Sequence, residues 1–181
     1  MKYIEIAAQI FGIFGLILSA LSYQQKNNKV FFIEQGLAGF MFFMNFLLIG
    51  ALPAALFNLT NLIRGAVFSK KEQKLWVMVS ILGLYTLCFL FSLYSIIEKP
   101  FQIFLSALTY VSLLVMTVLM WKGNGKHIRY GQFFFSSPAW IIHNIFNFSL
   151  GGILCEVFMM SSVVISFIRF GRNGFENNEK R

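Results

Sequence analysis

Apolar residues run along this chain in long, nearly unbroken stretches separated by short polar segments. The stretches fall at roughly Ile4–Tyr23, Val30–Ile49, Ala54–Phe68, Leu75–Ile96, Phe101–Trp121, Tyr130–Phe148 and Gly151–Phe170. Most approach the length of about twenty residues that an α-helix needs to cross a hydrocarbon core about 30 Å thick. None shows the alternation over about ten residues that marks a membrane barrel strand. The pattern predicts an all-α polytopic membrane protein with seven transmembrane helices. Gly50-Ala51-Leu52-Pro53 and Glu98-Lys99-Pro100 read as tight turns, and Pro100 suits the first turn of a new helix. Pro138 falls inside the sixth stretch and predicts a kink there.

Composition agrees with that class. Of 181 residues, 57% are hydrophobic and 12% charged, and the mean hydropathy is +0.70. A soluble domain of this length has too little interior for so many apolar side chains. The net charge of +8 does not point to nucleic acid, because the basic residues sit in short loops between spans and there report topology. The loops after spans one, three and five, the C-terminal tail and the nearby Arg64 hold 13 of the 15 Lys and Arg residues, leaving Lys2 and Lys99 for the other side. That asymmetry predicts the N-terminus outside and the C-terminus inside a bacterial inner membrane. Ser19-Ala20-Leu21-Ser22-Tyr23 is a poor cleavage site, so the first span reads as a retained helix. Cys88 and Cys155 both fall in spans, with no spacing that suggests a metal site, and no cofactor is expected.

The polar residues inside the spans carry the chemistry. Span one places Gly12, Gly15, Ser19 and Ser22 at helical spacing, a face on which another helix can approach closely. Asn58, Asn61 and Arg64 are three apart in span three and share a face. Arg64 is near enough to the following basic loop to snorkel toward it, as Glu34 is near Lys29 at the start of span two. The loop from Lys122 to Arg129 reads as basic and flexible, with His127 solvated. Trp76 and Trp121 read as interfacial anchors, while Trp140 lies one turn from His143 and Asn144 and can line a path. The stretch from Trp140 to Phe170 is almost wholly apolar yet contains His143, Asn144, Asn147 and Glu156. Read as two helices and a turn at Gly151-Gly152, it puts His143 and Glu156 at about the same depth. Ionisable groups within a bilayer are costly and mark functional sites by default. The alternative is that these groups only bond one another and hold helices together, but interhelical hydrogen bonds average about 0.6 kcal/mol, weak glue for so costly a placement.

An internal repeat is also legible. Gln9-Ile10-Phe11 matches Gln102-Ile103-Phe104, and at the same offset Ser19 falls on Ser112 and Lys29 on Lys122. After the longer fifth loop the offset grows, and Asn45 falls on His143 and Asn58 on Glu156. The expected organisation is a first three-helix repeat over 1–74, a linker helix over 75–98 with no part in chemistry, a second repeat over 99–170 and a cytoplasmic tail over 171–181. An odd linker helix gives the two units the same orientation, a parallel repeat, and solute sites lie at such interfaces. The expected route is lined by Asn45, Asn58, Asn61, Trp140, His143, Asn144 and Glu156. Arg64 and Glu34 are the polar residues toward the cytoplasmic side.

Three stretches resemble the YgjV-type family of bacterial inner-membrane proteins: Ser22-Tyr23-Gln24-Gln25-Lys26-Asn27-Asn28-Lys29, the segment from Asn45 to Phe68, and the segment from Trp140 to Phe170 with its Ile-His-Asn, Gly-Gly and single Glu. That resemblance implies location and topology more than activity. In its three, one, three arrangement the chain is also similar to the SWEET, PQ-loop and KDEL-receptor superfamily, although Tyr23-Gln24 stands where a Pro-Gln pair would. The SWEET likeness implies a central site at the repeat interface. No HExxH, GxSxG or phosphate-binding glycine loop is present, so an enzyme is not expected. The expected function is movement of a small polar solute, alternatively binding of a lipid headgroup or peptide without transport. The expected partners are the lipid bilayer, that solute and further copies of the chain in a homo-oligomer.

Overall fold

A computed structural model of the chain describes residues 2–50, 52–70, 74–98, 100–146 and 150–171. Its elements are α1 (Lys2–Ser22), α2 (Asn28–Leu48), α3 (Leu52–Phe68), α4 (Leu75–Ile96), α5 (Pro100–Lys122), α6 (Gly125–Gly131), a π-helical segment (Gln132–Ser136), α7 (Ser137–Phe146) and α8 (Leu150–Phe170). All secondary structure among the described residues is helical. Five described helices are long and apolar enough to cross a membrane, and α3 supplies a shorter apolar segment, Ala54–Phe68. Many large apolar side chains, among them Ile17, Leu87, Phe104 and Ile168, face outward. That is the surface a bilayer requires, with every helix satisfying its own backbone groups.

The sixth span differs from the sequence reading. The basic segment after span five is not a flexible loop throughout, because Asn124 caps α6 by accepting the His127 N–H at 3.0 Å. Side-chain oxygens at this position satisfy one of the donors that a helix start leaves free. Backbone dihedrals stay right-handed helical at Gly131 and Ser137, so α6, the π segment and α7 form one continuous span. The Ser137 N–H bonds the Gln132 carbonyl, five residues back. Pro138 has no N–H to give and its ring crowds the preceding turn. The expected irregularity therefore takes the form of a widened turn on the N-terminal side of the proline.

The helices close a ring. α1 packs on α2 and α8, α2 on α3, α5 on α6 and α7, and α7 on α8, while α4 packs outside the ring against α3 and α5. Small residues permit the closest approaches. A Cβ on Gly65 of α3 would collide with the backbone of Gly36 and with the Phe32 carbonyl, and one on Gly39 would lie 2.8 Å from the Leu62 nitrogen. On α1, Gly12 faces the Asn45 side chain and Gly15 lies against the Phe42 ring. This is the small-residue packing expected of that face.

Cross-links identify the two ends of the bundle. Asn28 at the start of α2 donates to the Gly123 carbonyl after α5 at 2.5 Å, and Lys26 lies 4.8 Å from the centre of the Phe170 ring at the end of α8. Phe32 meets Phe68, at the end of α3, edge to face at 5.9 Å. The described parts of the α1–α2 and α5–α6 connections, with the ends of α3 and α8, thus gather at one basic end. At the opposite end Asn45, late in α2, donates to the Ala8 carbonyl, early in α1, at 2.7 Å.

Candidate functional site

The ring encloses a cavity of about 660 Å³. Its wall is built by α1, α2, α3, α5, the π segment, α7 and α8, and among the described residues none of α4 reaches it. Of the expected route residues, Asn45, Asn58, Asn61, Trp140, Asn144 and Glu156 line it, and so does Arg64. His143 does not. Its ring packs edge-on against Trp140 at 5.6 Å and hydrogen-bonds the Asn144 side chain. The side-chain hydrogen bond that Glu156 accepts comes from Ser137. Glu34 lies off the cavity toward the basic end, where one oxygen accepts from Gln25 at 2.8 Å. Asn147 lies outside the described residues.

The three polar residues of α3 face the cavity together, as their spacing requires. Asn58 donates to the Ala54 carbonyl at 2.9 Å, and Asn61 donates to the Asn58 amide oxygen at 3.3 Å. The Asn61 oxygen accepts in turn from the Tyr85 hydroxyl at 2.5 Å. Tyr85 belongs to α4, so the helix read as a bare linker buttresses the polar wall from behind. Arg64 does not snorkel. Its side chain is 5% exposed, donates from Nη1 to the Thr117 hydroxyl at 3.1 Å and lies with Cζ 5.7 Å from the centre of the Tyr85 ring.

A second polar chain crosses the far wall. The Tyr23 hydroxyl donates to the Gln132 oxygen at 2.8 Å, the Gln132 amide donates to the Ser137 hydroxyl at 2.9 Å, and Ser137 donates to Glu156. The other carboxyl oxygen of Glu156 is buried without a protein partner. An orphaned buried acceptor costs about 1–3 kcal/mol. Gln132 lies in the π segment, whose extra residue per turn rotates the side chains that follow. π segments of this kind recur at functional sites.

The basic end of the cavity is shut. Arg129, 2% exposed, donates to the Tyr23 carbonyl from both Nε and Nη2, to the Gln25 carbonyl at 2.6 Å, to the Gly125 carbonyl at 3.0 Å and to the Ser166 hydroxyl at 3.1 Å. Gln24 adds bonds to the Ser162 carbonyl and hydroxyl, and the Ser162 hydroxyl bonds the Ala20 carbonyl. An edge-to-face run of Tyr23, Phe31, Phe32 and Phe68 fills the space beside them. Aromatic pairs in this geometry add about 0.5–1.5 kcal/mol each beyond burial. Toward the other end the lining residues Gln9, Ile13 and Ile49 are exposed, as are Leu154 and Phe158 of α8. The mouth therefore lies among these exposed residues, along the first halves of α1 and α8.

Several of these residues carry no sequence signal. Arg129 reads as one more topology-setting cation in a basic segment. Tyr23, Gln132, Ser137, Thr117 and Tyr85 are single polar groups in apolar surroundings, and only the folded neighbours give them partners. A helix bathed in lipid shows no polar face from which an inward side can be read.

No curated protein and no solved structure matches the chain. A family match extends over residues 6–174, nearly the whole sequence. The outward apolar faces, the long apolar helices and this match together establish that the chain belongs to the Imp-YgjV family and is a multi-pass bacterial inner membrane protein.

Proposed function

We propose that the protein moves a small polar solute across the inner membrane through the central cavity. The observation that carries this reading is a cavity of 660 Å³ whose polar lining comes from α1–α3 on one side and from α5–α8 on the other. Its volume lies within the range of small-molecule sites, about 300–1,000 Å³. On this reading seven spans form two parallel three-helix units, α1–α3 and α5–α8, with α4 as linker, the N-terminus outside and the C-terminus in the cytoplasm. Two features support the repeat. The second span of each unit starts at an asparagine cap, Asn27 and Asn124, and the two connections touch through Asn28 and Gly123. Against a strict repeat, Asn45 faces the cavity whereas its counterpart His143 does not.

On this reading the cavity is open toward the outside and shut on the other side by Arg129, Gln24 and the aromatic run. Movement of a solute requires those contacts to part as the mouth closes, an exchange between two discrete packings. A second reading is binding of a lipid headgroup without transport. It draws support from the apolar side chains Ile13, Leu154 and Phe158 at the mouth, which suit an acyl chain. Neither reading involves catalysis. A thermal-shift screen of small metabolites and short-chain lipids on purified protein, followed by uptake of each hit into proteoliposomes, separates them. Transport requires a soluble hit that accumulates inside, with stabilisation reduced in Asn58→Ala and Glu156→Gln. Stabilisation by lipids alone would reject transport, and a hit that stabilises wild type and both variants equally would remove the cavity as its site.

A further inference from the structure

Two ionisable groups of opposite type line this cavity without meeting. Arg64 enters from α3 and Glu156 from α8. A guanidinium carries five N–H donors. Here one hydrogen bond is made, to Thr117, and no carboxylate among the described residues pairs with it. None of its nitrogens is among the buried atoms left without a partner, so the remaining donors open onto the void. The neighbouring amides do not compensate, because Asn58 donates to the Ala54 carbonyl and its oxygen accepts from Asn61, and neither offers the cation an acceptor within bonding distance. Across the void, Glu156 takes its hydrogen bond from Ser137, and its other oxygen is buried and without a partner.

Their spacing limits what can satisfy both. Arg64 lies twelve residues after the start of α3 at Leu52, and Glu156 six residues after the start of α8 at Leu150. With both helices starting at the same end of the bundle, the difference of six residues is an axial offset of about 9 Å at 1.5 Å per residue. Side chains on both helices lean toward the start of their own helix, the longer arginine further, so the guanidinium is drawn slightly back toward the level of Glu156. The two groups form no ion pair, and both face the same cavity, where one molecule can meet both.

We infer that the solute is a small zwitterion of the amino-acid type, its carboxylate held by Arg64 and its ammonium by Glu156. Arginine suits the first role because its planar fork matches a carboxylate in two parallel hydrogen bonds. Such an occupant neutralises both walls at once, whereas a neutral polyol leaves both charges uncompensated and a simple anion or amine leaves one. This inference rests on the cavity being a solute site, and it names the solute class.

The test uses the full-length protein in nanodiscs and probes that differ by one charge: neutral α-amino acids from alanine to phenylalanine, their N-acetyl derivatives, their carboxamides, and a neutral polyol. Thermal stabilisation is expected with at least one free amino acid and to be lost when either charged group is blocked. Arg64→Gln and Glu156→Gln should each abolish the response, and Arg64→Lys should weaken it about tenfold in apparent affinity, by the loss of bidentate geometry. A blocked derivative or the polyol that stabilises as well as the parent would overturn the inference, as would a panel that gives no response. The blocking series is read on wild type, so misfolding of a variant cannot decide it. Uptake separates the two levels. Charge-dependent binding without flux rejects transport and leaves the zwitterion site, while flux of a neutral solute that ignores Arg64→Gln leaves transport and rejects the zwitterion.

Discussion

Asn61 spends both ends of its amide on neighbours, giving a hydrogen to Asn58 and taking one from Tyr85. Arg64 in the next turn lies against the same Tyr85 ring. Tyr85 therefore fixes the polar wall although it never touches the cavity. Tyr85→Phe keeps the ring under Arg64 and removes only the hydroxyl. It is expected to lower stability by about 0.6–1.7 kcal/mol, the range measured for interhelical hydrogen bonds in membranes. Equilibrium unfolding in mixed micelles reads this, with the exposed Tyr94→Phe as control. Equal midpoints for the two variants would remove Tyr85 from the account. Asn58, Asn61 and Arg64 were legible in the sequence because three-residue spacing in a span fixes a shared face. Tyr85 was not, since a lone tyrosine in an apolar helix reads as packing.

The closest helix crossing, α2 on α3, is a matter of backbone against backbone. At Gly65 any Cβ meets main-chain atoms of Gly36 and Phe32, which cannot swing aside. Gly65→Ala should force the helices apart and cost about 1–3 kcal/mol, the usual penalty of overpacking. At Gly83 on α4 a Cβ meets nothing within 4 Å. Gly83→Ala should be neutral or should stabilise by up to about 1 kcal/mol through helix propensity. Purified yield and thermal midpoints of the two variants read the contrast, and a Gly65→Ala protein as stable as Gly83→Ala would show that the crossing can relax. Since α3 carries Asn58, Asn61 and Arg64, displacing it also misplaces the cavity wall. The π segment is the other element with leverage, because it orients Gln132 and Ser137 toward Tyr23 and Glu156.

The whole molecule has one shut end and one open end, and the basic connections mark the shut one. On the proposed orientation, with the N-terminus outside, the mouth faces the periplasm. Gln9 and Ser19 lie on the same helix and both line the cavity, the first exposed and the second buried. In intact cells a membrane-impermeant maleimide should label Gln9→Cys and leave Ser19→Cys unmodified, in a background without Cys88 and Cys155. A reporter fused after Arg181 should be active only in the cytoplasm. Labelling of Gln9→Cys solely in inverted vesicles would reverse the orientation, and equal labelling of both positions would mean that the bundle is open throughout.

What the sequence determined by itself is the set of spans, because insertion into lipid is decided locally by runs of apolar residues whose backbone bonds close within each helix. The start and end of α4 are its clearest case, and the candidate polar residues of α2, α3, α7 and α8 are others. The tertiary structure alone decided which way those residues face. Lipid is as apolar as a helix–helix contact, so apart from α3, whose three polar residues share a face, these helices carry no polar stripe that distinguishes inside from outside. For that reason His143 could be picked out and still turn toward Trp140 and Asn144. For the same reason Arg129, one of many loop cations in the sequence, became the buried clasp on four surrounding residues. The sequence marked Glu156 as a costly ionisable group and read Arg64 as one that reaches the basic loop. Only the packing of α3 and α8 set them on opposite walls of one cavity, apart and without each other.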